Sequence, residues 1–266
     1  MYFFSDHLAS PVVHWTLPEL RHTIESNMRP VDPEVTPMRV LRAYSRNLLD
    51  TVFAQLDGGR ESKGPRFEPD PIGDRRIRRA LSAGRGAVIV SPHIGGWDVG
   101  CRSLELRGFD FSVVAQPETD PTVDAFRRRS RYGGADRTIE AGSTMESFFR
   151  VRGELERGGL IVMLGDRARP GDAVPVSFFG RSASFPRSPA AISHLTGAPI
   201  VPAAFVRAAD GLFRGLSSEP LFPEEGRTDP EALQAATQRL ALAFEEFVRA
   251  YPEQWFNFYP FWEEPR

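Results

Sequence analysis

The sequence predicts a single α/β domain with a mostly parallel central sheet flanked by helices. Two short apolar runs, residues 87–90 and 160–164, have the length and composition of buried strands. Polar capping residues followed by proline begin helices between such runs, and glycines end them. The 266 residues, 41% of them hydrophobic, suffice for one large core. Within this one domain, residues 1–266, we separate a helical N-terminal part, residues 1–60, from an α/β core, residues 72–266.

The capping signals predict the order of the elements. Helices begin at Thr36-Pro37, Asp120-Pro121, Ser188-Pro189 and Asp229-Pro230, and another begins at residue 143 or 144. Residues 200–206 form a further strand. In an open sheet of parallel strands, functional groups gather beyond the carboxyl ends of the strands, so we expect the functional site at that edge.

His93 follows the first apolar run, where Ser91-Pro92 takes the chain out of the sheet. Gly95 and Gly96 permit close backbone approach, and a helix follows with Asp98 in its first turn. Five helical steps separate two side chains by about 140°, so two helical residues at this spacing would not share a face. We therefore expect His93 to lie in the turn and Asp98 to reach back to it. An imidazole oriented by a carboxylate can act as a general base.

The spacing of this pair is not specific by itself. His14 and Glu19 stand at the same separation, but no strand precedes them and no glycine follows His14 directly. The predicted strand before His93 and the glycines after it distinguish the pair of His93 and Asp98 from the pair of His14 and Glu19.

Three stretches in order carry a family resemblance: HIGGWD at residues 93–98, the segment 164–198, and the tail YPEQWFNFYPFW at residues 251–262. Together they resemble the lysophospholipid acyltransferase superfamily, in its branch of lipid A late acyltransferases and phosphatidylinositol mannoside acyltransferases. The resemblance implies a glycerolipid acyltransferase-like fold.

The resemblance also implies a reaction. A fatty acyl group would move from an acyl carrier protein (ACP) or coenzyme A (CoA) thioester to a hydroxyl of a membrane-associated lipid or glycolipid. His93 would be the general base, and Asp98 would hold its tautomer. The thioester is a co-substrate, and neither a cofactor, a metal nor a nucleic-acid partner is expected. The backbone N–H groups of Gly95 and Gly96 are candidate oxyanion donors, a guess that rests on the glycines.

Several residues are candidates for substrate binding. Asp166 and Arg167 follow the end of the second apolar run, so we expect them at the same edge of the sheet as His93. With Arg169 they could bind a phosphate or sugar headgroup, although a loop ion pair between Asp166 and an arginine is an alternative. Arg187 resembles the family's segment before a helix N-terminus, and Arg131 lies in a block similar to the family's basic block.

Aromatic residues allow two interpretations. The resemblance places Phe178 and Phe179 in the acyl groove, whereas adjacent phenylalanines are also ordinary core residues. The tail aromatics are candidates either for membrane contact or for closing the core. They are Trp255, Phe256, Phe258, Tyr259, Phe261 and Trp262.

Charge and cysteine content indicate the compartment. The net charge is −2, but arginines cluster at residues 75–79 and 127–131, where they could contact anionic headgroups or an acidic carrier. The single cysteine, Cys101, excludes an intramolecular disulfide, and no apolar run reaches the roughly 18 residues of a membrane span. We expect a cytoplasmic protein, peripheral on the inner face of the membrane.

Other enzyme classes lack their motifs. The sequence has no G-x-S-x-G elbow, Walker loop, G-x-G-x-x-G after a strand, or H-E-x-x-H. Two alternatives stay open: a metal-dependent hydrolase that uses the same strand-end groups, and a non-catalytic protein of the same fold that binds lipid or an acyl carrier.

Overall fold

A computed structural model describes residues 2, 5–56, 66–117, 119–130, 137–141 and 145–262. A π-helical turn, Ser5–Ala9, precedes the first α-helix. The helices are α1 (Ser10–Thr16), α2 (Pro18–Met28), α3 (Pro37–Leu56), α4 (Pro71–Leu81), α5 (Trp97–Leu106), α6 (Pro121–Ser130), α7 (Met145–Glu156), α8 (Ser188–Thr196) and α9 (Pro230–Ala250). The strands are β1 (Ala87–Ser91), β2 (Phe111–Ala115), β3 (Thr138–Glu140), β4 (Leu160–Leu164), β5 (Ala173–Phe178), β6 (Arg181–Pro186), β7 (Ile200–Arg207) and β8 (Phe213–Ser217).

The described strands form one six-stranded sheet and one hairpin. The sheet order is β3-β2-β4-β1-β7-β8, and β5 pairs with β6. Strand β1 lies at the centre, parallel to β4 on one side and to β7 on the other. Within this sheet the edge pair β7–β8 is antiparallel, and the other pairs are parallel. The predicted α/β class with a mostly parallel sheet is confirmed.

Both faces of the sheet are covered, as parallel sheets require. Val88 and Val90 of β1 face a core that includes residues of α7, α9 and the chain beyond α9. Ala87 and Ile89 point to the opposite face, where α4 and α5 pack. The result is a three-layer domain in which the central strands are fully buried.

The predicted capping signal of α9 acts as expected, whereas α8 has Arg187 at its N-cap and no side-chain cap. The Asp229 carboxylate accepts a hydrogen bond from the N–H of Ala232 at 3.0 Å and so caps α9, with Pro230 in the first turn. Helix α8 ends at Gly197, whose φ of 75° lies in the left-handed region. Helices α3, α6 and α8 also begin at the predicted residues.

The chain after α9, which we call the C-terminal tail (residues 251–262), turns back into the protein. Trp255 is fully buried, and Phe256 and Phe258 meet the edge of the Tyr44 ring of α3, with ring centroids 5.2 and 4.8 Å apart. Asn27 of α2 also holds this tail through its side chain. The N-terminal helices therefore pack against the tail. In the described part of the chain, no helix has the length and apolar character needed to cross a bilayer.

Candidate active site

The register of two parallel strands brings a histidine and an aspartate together. Ser91, the last residue of β1, pairs with Leu164, the last residue of β4. His93 and Asp166 each lie two residues further on, beyond the carboxyl ends of these strands. Nδ1 of His93 is hydrogen-bonded to Oδ1 of Asp166. The His93 side chain keeps 21% of its surface exposed, whereas Asp166 is fully buried, so a substrate can reach the imidazole but not the carboxylate. The prediction that Asp166 binds substrate is therefore wrong, because its carboxylate faces His93 inside the protein.

The second oxygen of the Asp166 carboxylate accepts three further hydrogen bonds. The donors to Oδ2 are the backbone N–H of His93 at 3.1 Å, the indole Nε1–H of Trp255 at 3.0 Å and the amide Nδ2 of Asn257 at 3.2 Å. Burial alone would raise the pKa of Asp166, but the facing charge of His93, the hydrogen bonds and the nearby Arg167 guanidinium hold this pKa well below its usual value of 3.8. Asp166 is therefore a carboxylate at neutral pH.

An ionised carboxylate only accepts hydrogen bonds, so Nδ1 of His93 carries the proton of the Nδ1–Asp166 contact. In the neutral ring, Nε2 then holds the lone pair. This tautomer can remove a proton from a hydroxyl, and Asp166 stabilises the imidazolium that results. The geometry defines a general base, His93, with its orienting carboxylate, Asp166. We call this pair the dyad.

The sequence predicts that Asp98 orients His93, but a different carboxylate holds Nδ1. The hydrogen bond to Nδ1 that the sequence assigned to Asp98 is made by Asp166, 73 residues after His93. The predicted role of Asp98 in holding the tautomer is therefore wrong at this atom. Asp98 lies in the first turn of α5 and is half-buried. Its participation in the reaction by another contact stays a prediction.

The guess that Gly95 and Gly96 supply an oxyanion hole is contradicted. The N–H of Gly95 donates to the carbonyl of Gln254 at 2.9 Å, and the N–H of Gly96 donates to the carbonyl of Phe205 at 2.7 Å. Neither group is available to a developing oxyanion. Gly95 is required by the backbone instead. Its φ is 59°, and an added Cβ would lie 2.1 Å from the Phe205 carbonyl oxygen.

Arg167 follows Asp166 directly, and its side chain contacts other residues of the protein. Its Nε donates to Oδ1 of Asn257 at 2.8 Å, its Nη2 donates to the carbonyl of Phe256, and its guanidinium lies 5.4 Å from the centre of the Tyr259 ring. The guanidinium fork that the sequence assigned to a headgroup is thus directed at the C-terminal tail. The Arg167 charge lowers the pKa of Asp166, but the hydrogen bonds of Arg167 go to the tail, so the structure does not favour the alternative of a loop ion pair. Headgroup contact by Arg167 stays a prediction.

The other predicted substrate-binding arginines lie further from the dyad or outside the described residues. Arg169 and Arg187 are exposed, and Arg187 donates to the carbonyl of Gly171 at 3.1 Å while its Nε lies 3.9 Å from Asp172. Arg131 lies outside the described residues. Substrate contact by these three arginines stays a prediction.

Phe178 does not line a groove. It is fully buried and packs against Phe179, Phe185, Trp255 and Phe261. The alternative of ordinary core packing is therefore correct for Phe178, while Phe179 lies half-buried with the Arg249 guanidinium 5.2 Å from its ring centre.

An apolar cavity of about 60 Å³ lies elsewhere, between the sheet and helices α4 and α5. Its apolar lining includes Ile89, Trp97, Cys101, Leu104, Val162, Val201 and Ala203. Ser91 and Trp97, which flank the turn that carries His93, both line it. The cavity therefore lies beside the turn that carries His93.

Trp255 and Asn257 are site residues that the sequence patterns do not indicate. Trp255 was considered only for membrane contact or core closure, and its burial, with that of Phe256 and Phe261, supports core closure for these three. Asn257 was not singled out. A polar residue within an otherwise aromatic tail was the available signal, because a buried amide needs hydrogen-bond partners. In the described residues, no three histidine, cysteine, aspartate or glutamate side chains group as a metal site.

Fold and site together define a protein with a histidine base at the carboxyl edge of a parallel sheet, oriented by a buried aspartate. The model of the bacterial lipid A biosynthesis acyltransferase family matches residues 54–264, and the chain belongs to this family.

Curated relatives carry a more specific name. The phosphatidylinositol mannoside acyltransferase of Mycolicibacterium smegmatis is 30% identical over 196 residues, which is 73% of this chain and 62% of the relative. The protein of the same name from Mycobacterium tuberculosis is 27% identical over 185 residues, 69% of this chain and 56% of the relative. The chain thus aligns with less than two thirds of the length of either relative.

Proposed function

We propose that the protein transfers a fatty acyl group from a thioester donor to a hydroxyl of a membrane-associated glycolipid. The observation that carries this proposal is the hydrogen bond between His93 Nδ1 and the buried Asp166 carboxylate. Family membership supports acyl transfer, and the names of the mycobacterial relatives support a mannosylated phospholipid or a similar glycolipid as the acceptor.

The steps of the proposed acyl transfer follow from the tautomer of His93, in which Nδ1 carries the proton and Nε2 the lone pair. Nε2 of His93 takes the proton of the acceptor hydroxyl as its oxygen attacks the thioester carbonyl carbon. The new C–O bond forms, the C–S bond breaks, and the imidazolium returns the proton to the departing thiolate. The products are an ester and the free thiol of ACP or CoA. General-base catalysis of this kind contributes roughly 10² to 10⁴ in rate. The scheme needs no covalent enzyme intermediate, and no cofactor enters it.

The cavity beside the turn of His93 is the candidate site for one part of the acyl chain, since a volume of about 60 Å³ does not hold a whole fatty acyl chain. A hydrocarbon chain is stabilised by apolar surface, and the lining between the sheet and α5 is predominantly apolar. We assign the chain to this cavity rather than to the segment of Phe178. The exposed Arg169 and Arg187, with Arg131, remain candidate contacts for the phosphate of the acceptor.

Exposed apolar residues of the N-terminal helices are the candidate membrane contact. Val12 and Trp15 share one face of α1, Leu8 lies one turn earlier, and their exposed fractions are 51, 73 and 51%. Tryptophan is favoured at the interface between a membrane and water. The arginines of α4 are less suited to this role, because Arg76 and Arg79 both pair with Glu219. We propose peripheral binding to the inner membrane face through this N-terminal surface.

The test is thiol release from acyl-CoA and acyl-ACP donors, with and without a lipid extract, by wild type, His93→Ala and His22→Ala. His22 is an exposed histidine of α2 and serves as the matched control. Lipid-stimulated release that is lost only in His93→Ala, with the acylated lipid identified by mass spectrometry, would support the proposal. Absence of release from folded wild type with every donor would reject it. Activity abolished by a chelator would favour a metal-dependent hydrolase.

A further inference from the structure

The hydrogen bonds around the dyad give the C-terminal tail a task beyond closing the core. Of the three donors to Oδ2 of Asp166, two are tail side chains: Nε1–H of Trp255 at 3.0 Å and Nδ2 of Asn257 at 3.2 Å. Both reach a carboxylate that is fully buried. A buried charge requires several well-placed donors, and the donors also fix the direction in which its other oxygen points. That other oxygen, Oδ1, holds His93.

The tail is bound to the turn of His93 through its backbone. Ile94 and Trp255 form an antiparallel bridge. The N–H of Gly95 donates to the carbonyl of Gln254 at 2.9 Å, and the N–H of Phe256 donates to the carbonyl of His93 at 2.7 Å. The tail thus pairs with the turn as a short strand would, so a displacement of either segment displaces the other.

Arg167 sets the orientation of the Asn257 amide. Its Nε–H donates to Oδ1 of Asn257 at 2.8 Å, and only the amide oxygen can accept that bond. The NH₂ group of Asn257 therefore faces Asp166. A second bond, from Nη2 of Arg167 to the carbonyl of Phe256, holds the tail backbone at the same place. Arg167 follows Asp166 directly in the chain, so these contacts tie the tail to the segment after β4.

We propose that Trp255 and Asn257 are positioning residues that hold the Asp166 carboxylate in line with His93. This inference rests on the proposed function, because it assigns the two residues to the same histidine base. The N–H groups of Trp255 and Asn257 both donate to Oδ2 of the Asp166 carboxylate and so hold its orientation. Loss of one donor lets the carboxylate turn away from the direction in which its Oδ1 meets the His93 ring.

The chain offers a matched control for the tryptophan. Trp262 belongs to the same aromatic cluster, 6.2 Å from Trp255 between ring centres, and its Nε1–H donates at 2.9 Å to the carbonyl of Asn27. Trp255→Phe and Trp262→Phe both remove an indole N–H and shrink a ring in this cluster. Only the first removes a donor to Asp166. Asn257→Ala provides a second, independent loss of a donor.

The experiment measures kcat and KM against pH for wild type and the three variants, with unfolding in urea as the check of fold. For Trp255→Phe and Asn257→Ala we expect kcat to fall by about 10- to 100-fold with KM changed less than about threefold, since a misplaced catalytic group mainly affects the transition state. We also expect the acidic limb of kcat/KM to differ from that of wild type, because this limb reports the interaction between the imidazole and the carboxylate. Trp262→Phe should leave the acidic limb of kcat/KM at the pH of wild type.

A direct measurement separates this inference from the proposed function. NMR titration of the His93 ring, assigned with His93→Ala, reports the imidazole without any substrate. A midpoint that differs from wild type in Trp255→Phe and Asn257→Ala, but not in Trp262→Phe, supports the positioning role even if no acyl donor is turned over. Equal midpoints in all four proteins, or activity losses that only follow the loss of stability in urea, would overturn it.

Discussion

His93 and Asp166 stand at the carboxyl ends of adjacent parallel strands, and Nδ1 of the one is hydrogen-bonded to Oδ1 of the other. Each residue lies two positions beyond a register pair, Ser91 and Leu164. A shift of the register by one residue would turn the alternating side chains of β1 to the other face of the sheet and separate the dyad. The packing that fixes the register, between two apolar strands buried on both faces, therefore also fixes the geometry of the base.

Replacing the buried carboxylate tests its role directly. Asp166→Asn keeps the shape but removes the charge that stabilises the imidazolium and selects the tautomer. We expect kcat to fall by about 10² to 10⁴ with little change of KM. Asp172→Asn, in the segment that leads to β5, is the control. Activity of Asp166→Asn within about threefold of wild type, in a folded sample, would remove Asp166 from the mechanism.

Gly95 is the residue in the turn of His93 that tolerates a side chain least. Its φ is 59°, and an added Cβ would meet the Phe205 carbonyl oxygen at 2.1 Å. Gly108 has a φ of 76° with nothing within 4 Å of an added Cβ. We expect Gly108→Ala to cost about 1–2 kcal/mol, the cost of the left-handed conformation, and Gly95→Ala to cost clearly more. Equal urea midpoints for both variants would contradict the close approach.

The fold could be predicted from the sequence because its signals are local. Apolar runs, capping residues and helix-ending glycines act within a few positions, and the helix starts at Pro37, Pro121, Ser188 and Pro230 are correct. The site was predicted only in part. His93 and Asp166 were placed at one edge of the sheet, but their pairing depends on strand register, which local patterns do not specify.

The errors at the site share this cause. Asp98 was assigned to His93 because it is near in sequence, whereas the contact is made across two strands. Gly95 and Gly96 were read as donors to substrate, although their N–H groups bond to residues more than 100 positions away. Phe178 was placed in a groove by resemblance, and its neighbours in the core come from the hairpin and the tail. Long-range packing decided each case.

Asn27 links the N-terminal helices to the tail, and its loss should weaken both. Its Nδ2 donates to the carbonyls of Asn257 and Tyr259, each at 2.8 Å, and its Oδ1 accepts from the N–H of Phe261 at 3.0 Å. Asn27→Ala leaves these buried groups unsatisfied, so we expect a loss of at least about 2 kcal/mol in urea unfolding. Ser26→Ala, at the exposed neighbouring position, should cost less than about 0.5 kcal/mol. Similar losses for both would mean that Asn27 does not anchor the tail.

The assignment of the cavity to the acyl chain predicts a change of donor preference. Ala203→Leu places three additional carbon atoms on its wall. We expect kcat/KM for the longest donors to fall about tenfold relative to shorter ones, because each methylene excluded from apolar surface loses about 0.8 kcal/mol. Ala191→Leu, on α8 and away from the cavity lining, is the control. A panel of saturated acyl-CoA donors measures the ratio. An unchanged chain-length profile in Ala203→Leu would place the chain elsewhere.

Membrane contact through α1 predicts that Trp15→Ser weakens binding to vesicles. Trp15 is 73% exposed, and burying a side chain of this size in the interface contributes about 1.5–3 kcal/mol, which corresponds to roughly a 10- to 100-fold change in partitioning. Leu195→Ser, at an exposed residue of α8, is the matched control. Sedimentation with vesicles of phosphatidylcholine and phosphatidylglycerol measures the bound fraction. If both variants bind like wild type, or if high salt alone releases the protein, charge rather than this apolar surface makes the contact.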